Sequence, residues 1–539
     1  MTAWFANAGG WLRRRTWSPL VATGYVALMA LFLWAVARCY VPGAGFTYFI
    51  AFGSVQQDAM ISKVRRLHPY VQRESAGYDA QFYAQIAMDP TLQNRELPRA
   101  MDSLAYRGRR VLFAATAWMF GLGRPAWILQ AFALQNVLGW LLLGVLLLHW
   151  FPPRTWDHAL RWAGVMFSSG VLISVHNALF DGPSLLLIAF ALFLYERGRP
   201  WCSAMVLGLA GLGKETNVFG AVALIPSWRA GWRAWLTAAA QAAVIVLPLL
   251  LWLTYIHTMV GSAADAGARN FALPFTGFAH KWREVFADLA PAGGLSWTML
   301  IMISVTVQFG FFVLRPRWGN PCWRVCAAFA VLMIFLGDAV WEGYPGAVSR
   351  VLLPMQLGFN ILVPVGRSWR VLLIAGNLTL WAAPEALQRP PGEVCEITGL
   401  AALRANPAGD VAAIRLGAHW LGNEGVRGHT WTWASDSAEI GVDNPQAADV
   451  EFDLKFGLAA PDDRHLHVKL NGTEVWAGEV GTKLVTVEVL GLALRPGSNR
   501  LEFVTDEPGR KVGSDPRTLA FSLYDARVEL RRLLPAKSP

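Results

Sequence analysis

Residues able to do chemistry gather in a few short stretches of this chain. Gly77-Tyr78-Asp79-Ala80-Gln81-Phe82-Tyr83 sets one carboxylate among three aromatic rings, a setting in which partial drying tunes a general base. Lys214 and Glu215 stand in the middle of an apolar run, and Arg350 heads another; cations so placed suit a negative charge that develops during a reaction. His176, Asn177 and Asp181 fall near one turn, Asp265, Arg269, His280 and Lys281 in one loop, and Asp338, Glu342 and Tyr344 just before Arg350. Each has a plainer reading. Asp79 as a solvated loop carboxylate, its aromatic neighbours as an interfacial belt, Lys214 and Glu215 as a self-neutralising pair, Arg350 as a helix anchor and His176 as an interfacial histidine all stay open. Asp89-Pro90 reads as a helix stop and Asp102-Ser103 as a helix cap. His176 and Asp181 lack the third ligand that a metal site needs.

A membrane must position these residues. Of 539 residues, 54% are hydrophobic and only 16% charged, against about 25% charged in a soluble protein. The deficit is confined to residues 18–384, whereas 385–539 has the composition of a soluble domain. The net charge of +10 does not call for nucleic acid, because much of the Lys and Arg lies in short loops between apolar runs. The 26 Trp suit many membrane interfaces. The five cysteines form no disulfide framework, and Cys322 and Cys326 read as packing residues.

A span takes about 20 apolar residues. Runs 20–38, 126–149, 159–176, 233–257, 295–314, 323–340, 348–366 and 369–384 meet that, and 181–196 is short but bounded by charge. The run 111–123 is too short to cross and reads as an interfacial helix. The run 201–228 reads as two short helices, which keeps Lys214-Glu215-Thr216 out of the bilayer centre. The count is then about eleven spans. Arg13, Arg14, Arg15, Arg154, Arg161, Arg197, Arg199, Arg229, Arg233, Arg315, Arg317, Arg324, Arg367 and Arg370 fall on one side. Only Lys214 and Arg350 fall in short loops of the other, so the first side is the cytoplasm. All the unusual polar clusters, Asp58, Asp79, Asp89 and Asp102 of the long first loop (41–125) included, then share the outer face. A channel or transporter lines a path through the membrane with such groups.

On these motifs the chain resembles the GT-C-type bacterial glycosyltransferases, polytopic enzymes that use polyprenyl-phosphate sugar donors. The stretch 77–83 followed by Ala87-Met88-Asp89-Pro90 is similar to a first-loop signature, with Ala80 where Gly is usual. Ala105-Tyr106-Arg107-Gly108-Arg109-Arg110-Val111-Leu112, Gly213-Lys214-Glu215-Thr216 and Ser349-Arg350-Val351-Leu352-Leu353-Pro354 resemble three further elements, over roughly residues 20–365 in all. The resemblance implies Asp79 as general base and Lys214 and Arg350 as partners of the leaving lipid phosphate. It implies Arg107, Arg109 and Arg110 as holders of lipid phosphate at the interface, and Tyr78, Gln81, Tyr83, Glu215 and Glu342 as contacts to sugar or acceptor. His176 and Asp181 are second-rank site residues. No tight Asp-x-Asp argues for a nucleotide-sugar metal site, so no metal or other cofactor is expected. The implied partners are the lipid-linked donor, a glycan or glycolipid acceptor and membrane lipids. The implied place is the bacterial inner membrane, N-terminus cytoplasmic and C-terminal domain periplasmic. A flippase of lipid-linked glycans and a non-catalytic assembly protein are the alternatives.

After a Pro-rich linker (385–394) the period changes. Val450–Phe456 and Leu466–Leu470 alternate strictly, Asn471-Gly472 is a hairpin signal, and Val485–Val489, Leu501–Val504 and Leu519–Leu523 continue the series. Residues 395–539 are expected to form a jelly-roll-like β-sandwich similar to carbohydrate-binding modules. Trp420, Trp431, Trp433 and Trp476 belong either to its core or to a sugar-stacking face.

Overall fold

The fold comes from a computed structural model and is described for residues 17–41, 43–72, 75–261, 267–292, 296–342, 347–386, 388, 394–399, 413–417, 419–426, 429–444, 446–512, 515 and 517–534. Asp265, Tyr344 and Arg13, Arg14 and Arg15 lie outside them. Two compact units emerge, one from the described residues of Met1–Phe52, Gln56–Tyr70 and Tyr78–Arg389, the other from those of Gly53–Val55, Val71–Gly77 and Pro390–Pro539.

The first unit is helical. Four of its helices, Pro19–Ala37, Pro125–Leu147, Trp232–Met259 and Trp297–Leu314, are long and apolar enough to cross a membrane. Several other apolar runs do not fold as single rods. The run 159–176 breaks into helices Trp156–Met166 and Ser169–His176, because the Ser168 hydroxyl accepts the Val171 N–H and restarts the helix. The run 323–340 stops at Ile334 and resumes for one turn at Asp338–Trp341. The run 348–366 divides into Val348–Val351 and Leu353–Leu362, and 369–384 ends in a 3-10 turn after Ala375. The run 201–228 divides as its charges demand: helix Pro200–Gly213, Lys214 in extended conformation, then 3-10 helix Glu215–Leu224.

Two arginines counted as loop charges also serve the helical body. Arg161, 3% exposed, pairs with Asp157 at 2.6 Å and donates to the carbonyls of Asn360 and Val363, both at 2.7 Å, at the end of helix Leu353–Leu362. Arg324 donates to Ala223 and Ile225 at 2.7 Å each. Both satisfy orphan carbonyls at helix ends. Cys322 and Cys326 are buried free thiols in the apolar packing, as their setting suggests.

Among its described residues the first loop holds the short α-helices Ser62–Arg65, Ala80–Ile86, Leu104–Arg107 and Leu112–Phe120. The last buries Phe113, Ala114 and Ala117 and leaves Trp118, Met119 and Phe120 exposed, a pattern that suits an interface-lying helix. Helix Trp232–Met259 is tied to this loop by two aromatic donors: the Trp252 indole to the Gly108 carbonyl at 2.9 Å and the Tyr255 hydroxyl to that of Thr91 at 2.7 Å.

The second unit is a sandwich of two sheets. One has the order Thr473–Val480, Arg464–Leu470, Gly497–Thr505, Ala438–Asn444, Ala413–Leu416; the other runs Val485–Leu494, Val450–Ala459, Phe521–Leu533, His429–Ala434, Trp420–Val426, with Cys395–Gly399 parallel to Phe521–Leu533. Ala438–Asn444 buries every second residue, as period two requires. Ile440 and Val442 of one sheet meet Phe452, Phe456 and Phe521 of the other in one core. Asn471 and Gly472, at φ of 51° and 82°, form the two-residue turn of a hairpin. Trp420 is a core residue against Phe503 and Phe521, and Trp476 packs edge-on to Phe456. Trp431 stacks on Tyr524, and Trp433 is half-buried on the same strand.

Candidate functional site

Residues far apart in sequence meet in one ionic cluster. Asp79 occupies the N-cap position of helix Ala80–Ile86, yet its backbone is already helical and its side chain caps nothing. The carboxylate turns instead to Arg107, at 3.0 Å, and stays half-exposed. Arg107 also grips Asp102 with two parallel bonds, 3.0 Å from Nε and 2.7 Å from Nη2. Its guanidinium carbon lies 4.9 Å from the ring centre of Phe82, 5.7 Å from that of Tyr83 and 5.5 Å from that of Tyr106. The aromatics of the first-loop motif therefore act on the arginine that holds Asp79. The helix cap is Ser103, whose hydroxyl accepts the Tyr106 N–H, and Asp102 is freed to bind Arg107. Asp89 ends its turn by accepting the N–H of Thr91 and of Asn94.

A second chain of contacts runs from the Tyr83 hydroxyl to Arg110 at 3.2 Å and from Arg110 to Glu215 at 3.0 Å. A third runs from the Tyr78 hydroxyl to Arg350 at 3.0 Å, to Asp181 at 3.1 Å, and on to Lys214 at 2.5 Å. Lys214 and Glu215 do not neutralise each other: the extended backbone at Lys214 sends the two side chains to different partners. Tyr83 lies beside Arg107 and bonds Arg110, and Tyr78 bonds Arg350 while preceding Asp79 in the chain, so the three chains of contacts are one cluster. Arg107, Arg110, Lys214 and Arg350 face Asp79, Asp102, Asp181 and Glu215, four cations against four carboxylates. Arg350 keeps one buried donor, Nε, without a hydrogen bond among the described residues.

Burial works against the charges of Arg107 and Arg110, but their acidic neighbours prevail and hold both firmly protonated. Burial likewise disfavours an ionised Asp102, and the Arg107 bonds outweigh it, so Asp102 lies below the usual carboxylate range. Burial pushes the Tyr78 and Tyr83 hydroxyls up, which keeps both neutral, and each accepts a hydrogen bond from its arginine.

The remaining expected residues sit differently. Gln81 is buried in the Ala80–Ile86 helix, and Arg109 lies over the Tyr106 ring. His176 is edge-on to Tyr48 and Phe49 in an aromatic pocket, and its Nδ1 has no hydrogen bond among the described residues. Glu342 is exposed and joins none of the cluster's contacts. No group of three His, Cys, Asp or Glu able to hold a metal occurs among the described residues. Sequence reasoning missed Asp102 as the second anchor of Arg107 and underrated Asp181, which bridges two cations. Apolar surroundings of a carboxylate at a helix start are the only local sign at Asp181.

No model of a known protein family matches the chain, and no curated protein matches it. Among solved structures, the cryo-EM structure of arabinosyltransferase EmbB from Mycobacterium smegmatis aligns over 97% of this chain and 65% of its own, at 11% identity and a TM-score of 0.27. A family two carbohydrate esterase from Clostridium thermocellum aligns over 24% of this chain and 34% of its own (11% identity, TM-score 0.15). The Podospora anserina GH26-CBM35 β-(1,4)-mannanase aligns over 23% and 26% (19% identity, TM-score 0.15). The chain thus spans under two thirds of each of these proteins, and likenesses this slight define no family.

Proposed function

We propose that the chain is a membrane glycosyltransferase of GT-C type. It transfers a sugar from a polyprenyl-phosphate donor to a cell-surface glycan or lipid on the periplasmic face of a bacterial inner membrane. The observation that carries this reading is the convergence of Asp79, Arg107 and Arg110 with Asp181, Lys214, Glu215 and Arg350. A helical body has little structural reason to gather eight charges from four remote segments, since buried ion pairs return little net stability.

In this reading Asp79 accepts the proton of the acceptor hydroxyl as its oxygen attacks the anomeric carbon. The bond from that carbon to the phosphate oxygen breaks, and its electron pair leaves with the lipid phosphate. Arg107 holds one Asp79 oxygen at 3.0 Å and aims the carboxylate, which is half-exposed and so within reach of an acceptor. Lys214 and Arg350 keep donors beyond those given to Asp181 and steady the leaving phosphate. Tyr78, Gln81, Tyr83, Glu215, Arg109 and Glu342 supply contacts to sugar, acceptor or lipid phosphate, with His176 behind them. The residues 1–384 are the transfer domain, 385–394 the linker, and 395–539 a carbohydrate-binding-module-like sandwich. The chemistry as written asks for no metal.

The test is turnover of a labelled polyprenyl-phosphate sugar by the purified chain. Asp79→Asn is expected to lower transfer by roughly 10²–10⁴-fold with donor binding kept. Full activity in that variant removes Asp79 as the base, and no turnover by the unaltered chain with any such donor removes the enzyme and leaves the flippase or assembly readings.

A further inference from the structure

The first loop also holds a cleft apart from the ionic cluster. It measures about 760 Å³ and opens between the start of helix Ser62–Arg65, the turn from Met88 to Glu96 and the end of helix Leu112–Phe120. Two carboxylates line it, and both are committed. Asp89 accepts from the Thr91 hydroxyl at 2.5 Å, the Thr91 N–H at 3.2 Å and the Asn94 N–H at 2.6 Å. Glu96 accepts the Ser62 N–H at 2.6 Å and hydroxyl at 2.7 Å. The two cations keep hydrogen-bond donors to spare, although the charge of Arg66 already acts on Glu96, which stays ionised beside it. Lys63 and Arg66, one helical turn apart and exposed, make no ion pair among the described residues, and Arg66 gives only Nε, to the Ser62 carbonyl at 3.2 Å. The opposite wall is apolar, with Trp118 and Met119 43% and 63% exposed, and it continues into Phe120 and Leu122.

Cations with donors to spare facing an exposed aromatic and apolar wall match one chemistry, that of a phosphate attached to hydrocarbon. We propose that this cleft binds the phosphate headgroup of an amphiphile lying in the membrane interface. Lys63 and Arg66 hold the phosphate, and Trp118 and Met119 lie against the first carbons of the chain. The site is distinct from the ionic cluster, but two helices join them: Ala80–Ile86 runs from Asp79 to Met88, and Leu112–Phe120 runs from Arg110 to Trp118. Seven helical residues separate the two sites by about 10 Å. The proposal stands whether or not the chain transfers sugar.

The experiment places the purified full-length chain in phosphatidylcholine nanodiscs with a photoactivatable phosphatidic acid and maps the labelled peptide. Labelling is expected within 115–122 and to fall roughly tenfold or more in Lys63→Glu/Arg66→Glu. Both side chains are exposed, and Lys63→Gln/Arg66→Gln repeats the test should the charge reversals disturb the fold. Competition by unlabelled polyprenyl phosphate alone assigns a carrier lipid, and competition by unlabelled phosphatidic acid assigns a membrane phospholipid; either sustains the proposal. It is overturned by equal labelling from a photoactivatable diacylglycerol, which lacks phosphate, by unchanged labelling in both variants, or by displacement with inorganic phosphate alone.

Discussion

Arg107 is the residue on which the first loop turns. It joins the motif carboxylate Asp79 to Asp102 and is boxed by three aromatic rings, so loss of its planar fork disturbs more than one pair. Arg107→Lys is expected to cut transfer at least tenfold while the melting temperature changes little; equal activity would show that a point charge suffices. Asp102 gives a pH signature. Its folded pKa lies below the unfolded value of about 4, so its contribution is complete above that value and is lost as pH falls through the lower folded one. Melts taken from about pH 5 downward should show Asp102→Asn with a shallower acid decline than the parent. The effect is small because Asp102 is half-exposed. Asp181 has larger consequences: Asp181→Ala leaves Lys214 and Arg350 buried without a counter-charge, and is expected to cost about 3–5 kcal/mol in a denaturation assay. A loss under about 1 kcal/mol would mean that the two cations find other partners.

At the scale of elements, the extended residue Lys214 between two helical pieces is what sends Lys214 to Asp181 and Glu215 to Arg110. Gly213, just before the break, lets the helix that Arg110 precedes come close, because a side chain there would press on Phe113. The break was legible in sequence, since a charged triplet inside an apolar run has no cheaper solution. So was the Asn471-Gly472 hairpin, whose dipeptide fixes the turn. Gly472→Val is expected to cost about 1–2 kcal/mol through its positive φ, with transfer unchanged. The interruptions at Ser168 and Leu352 were not legible, because hydrophobicity continues across them and only a hydroxyl cap or a backbone turn marks the place. Nor could pattern tell that Asp102 answers Arg107, or Asp181 both Lys214 and Arg350. Charge sign allows many partners, and only the folded chain chooses among them.

At the scale of the molecule, the helical unit and the sandwich were both foreseeable from the change of period near residue 395, while the sidedness of each loop is harder to read. Arg161 and Arg324 show why: an arginine at the edge of an apolar run serves equally as a topology signal and as a buried helix clamp. The proposed orientation therefore rests on the other arginines, and labelling decides it. A cysteine at Ser498, exposed in the sandwich, should react with an impermeant maleimide applied outside intact cells; reaction only after lysis would invert the topology. The matched numbers of positive and negative groups in the ionic cluster carry one last consequence. Such pairing weakens the field that the cluster casts beyond its own contacts, so it draws an anionic ligand out of bulk solution less strongly than bare cations do. On the proposed function, the phosphate-bearing donor then arrives sideways, by diffusion within the plane of the bilayer. Turnover should then vary with the mole fraction of donor among the surrounding lipids and scarcely respond to added salt.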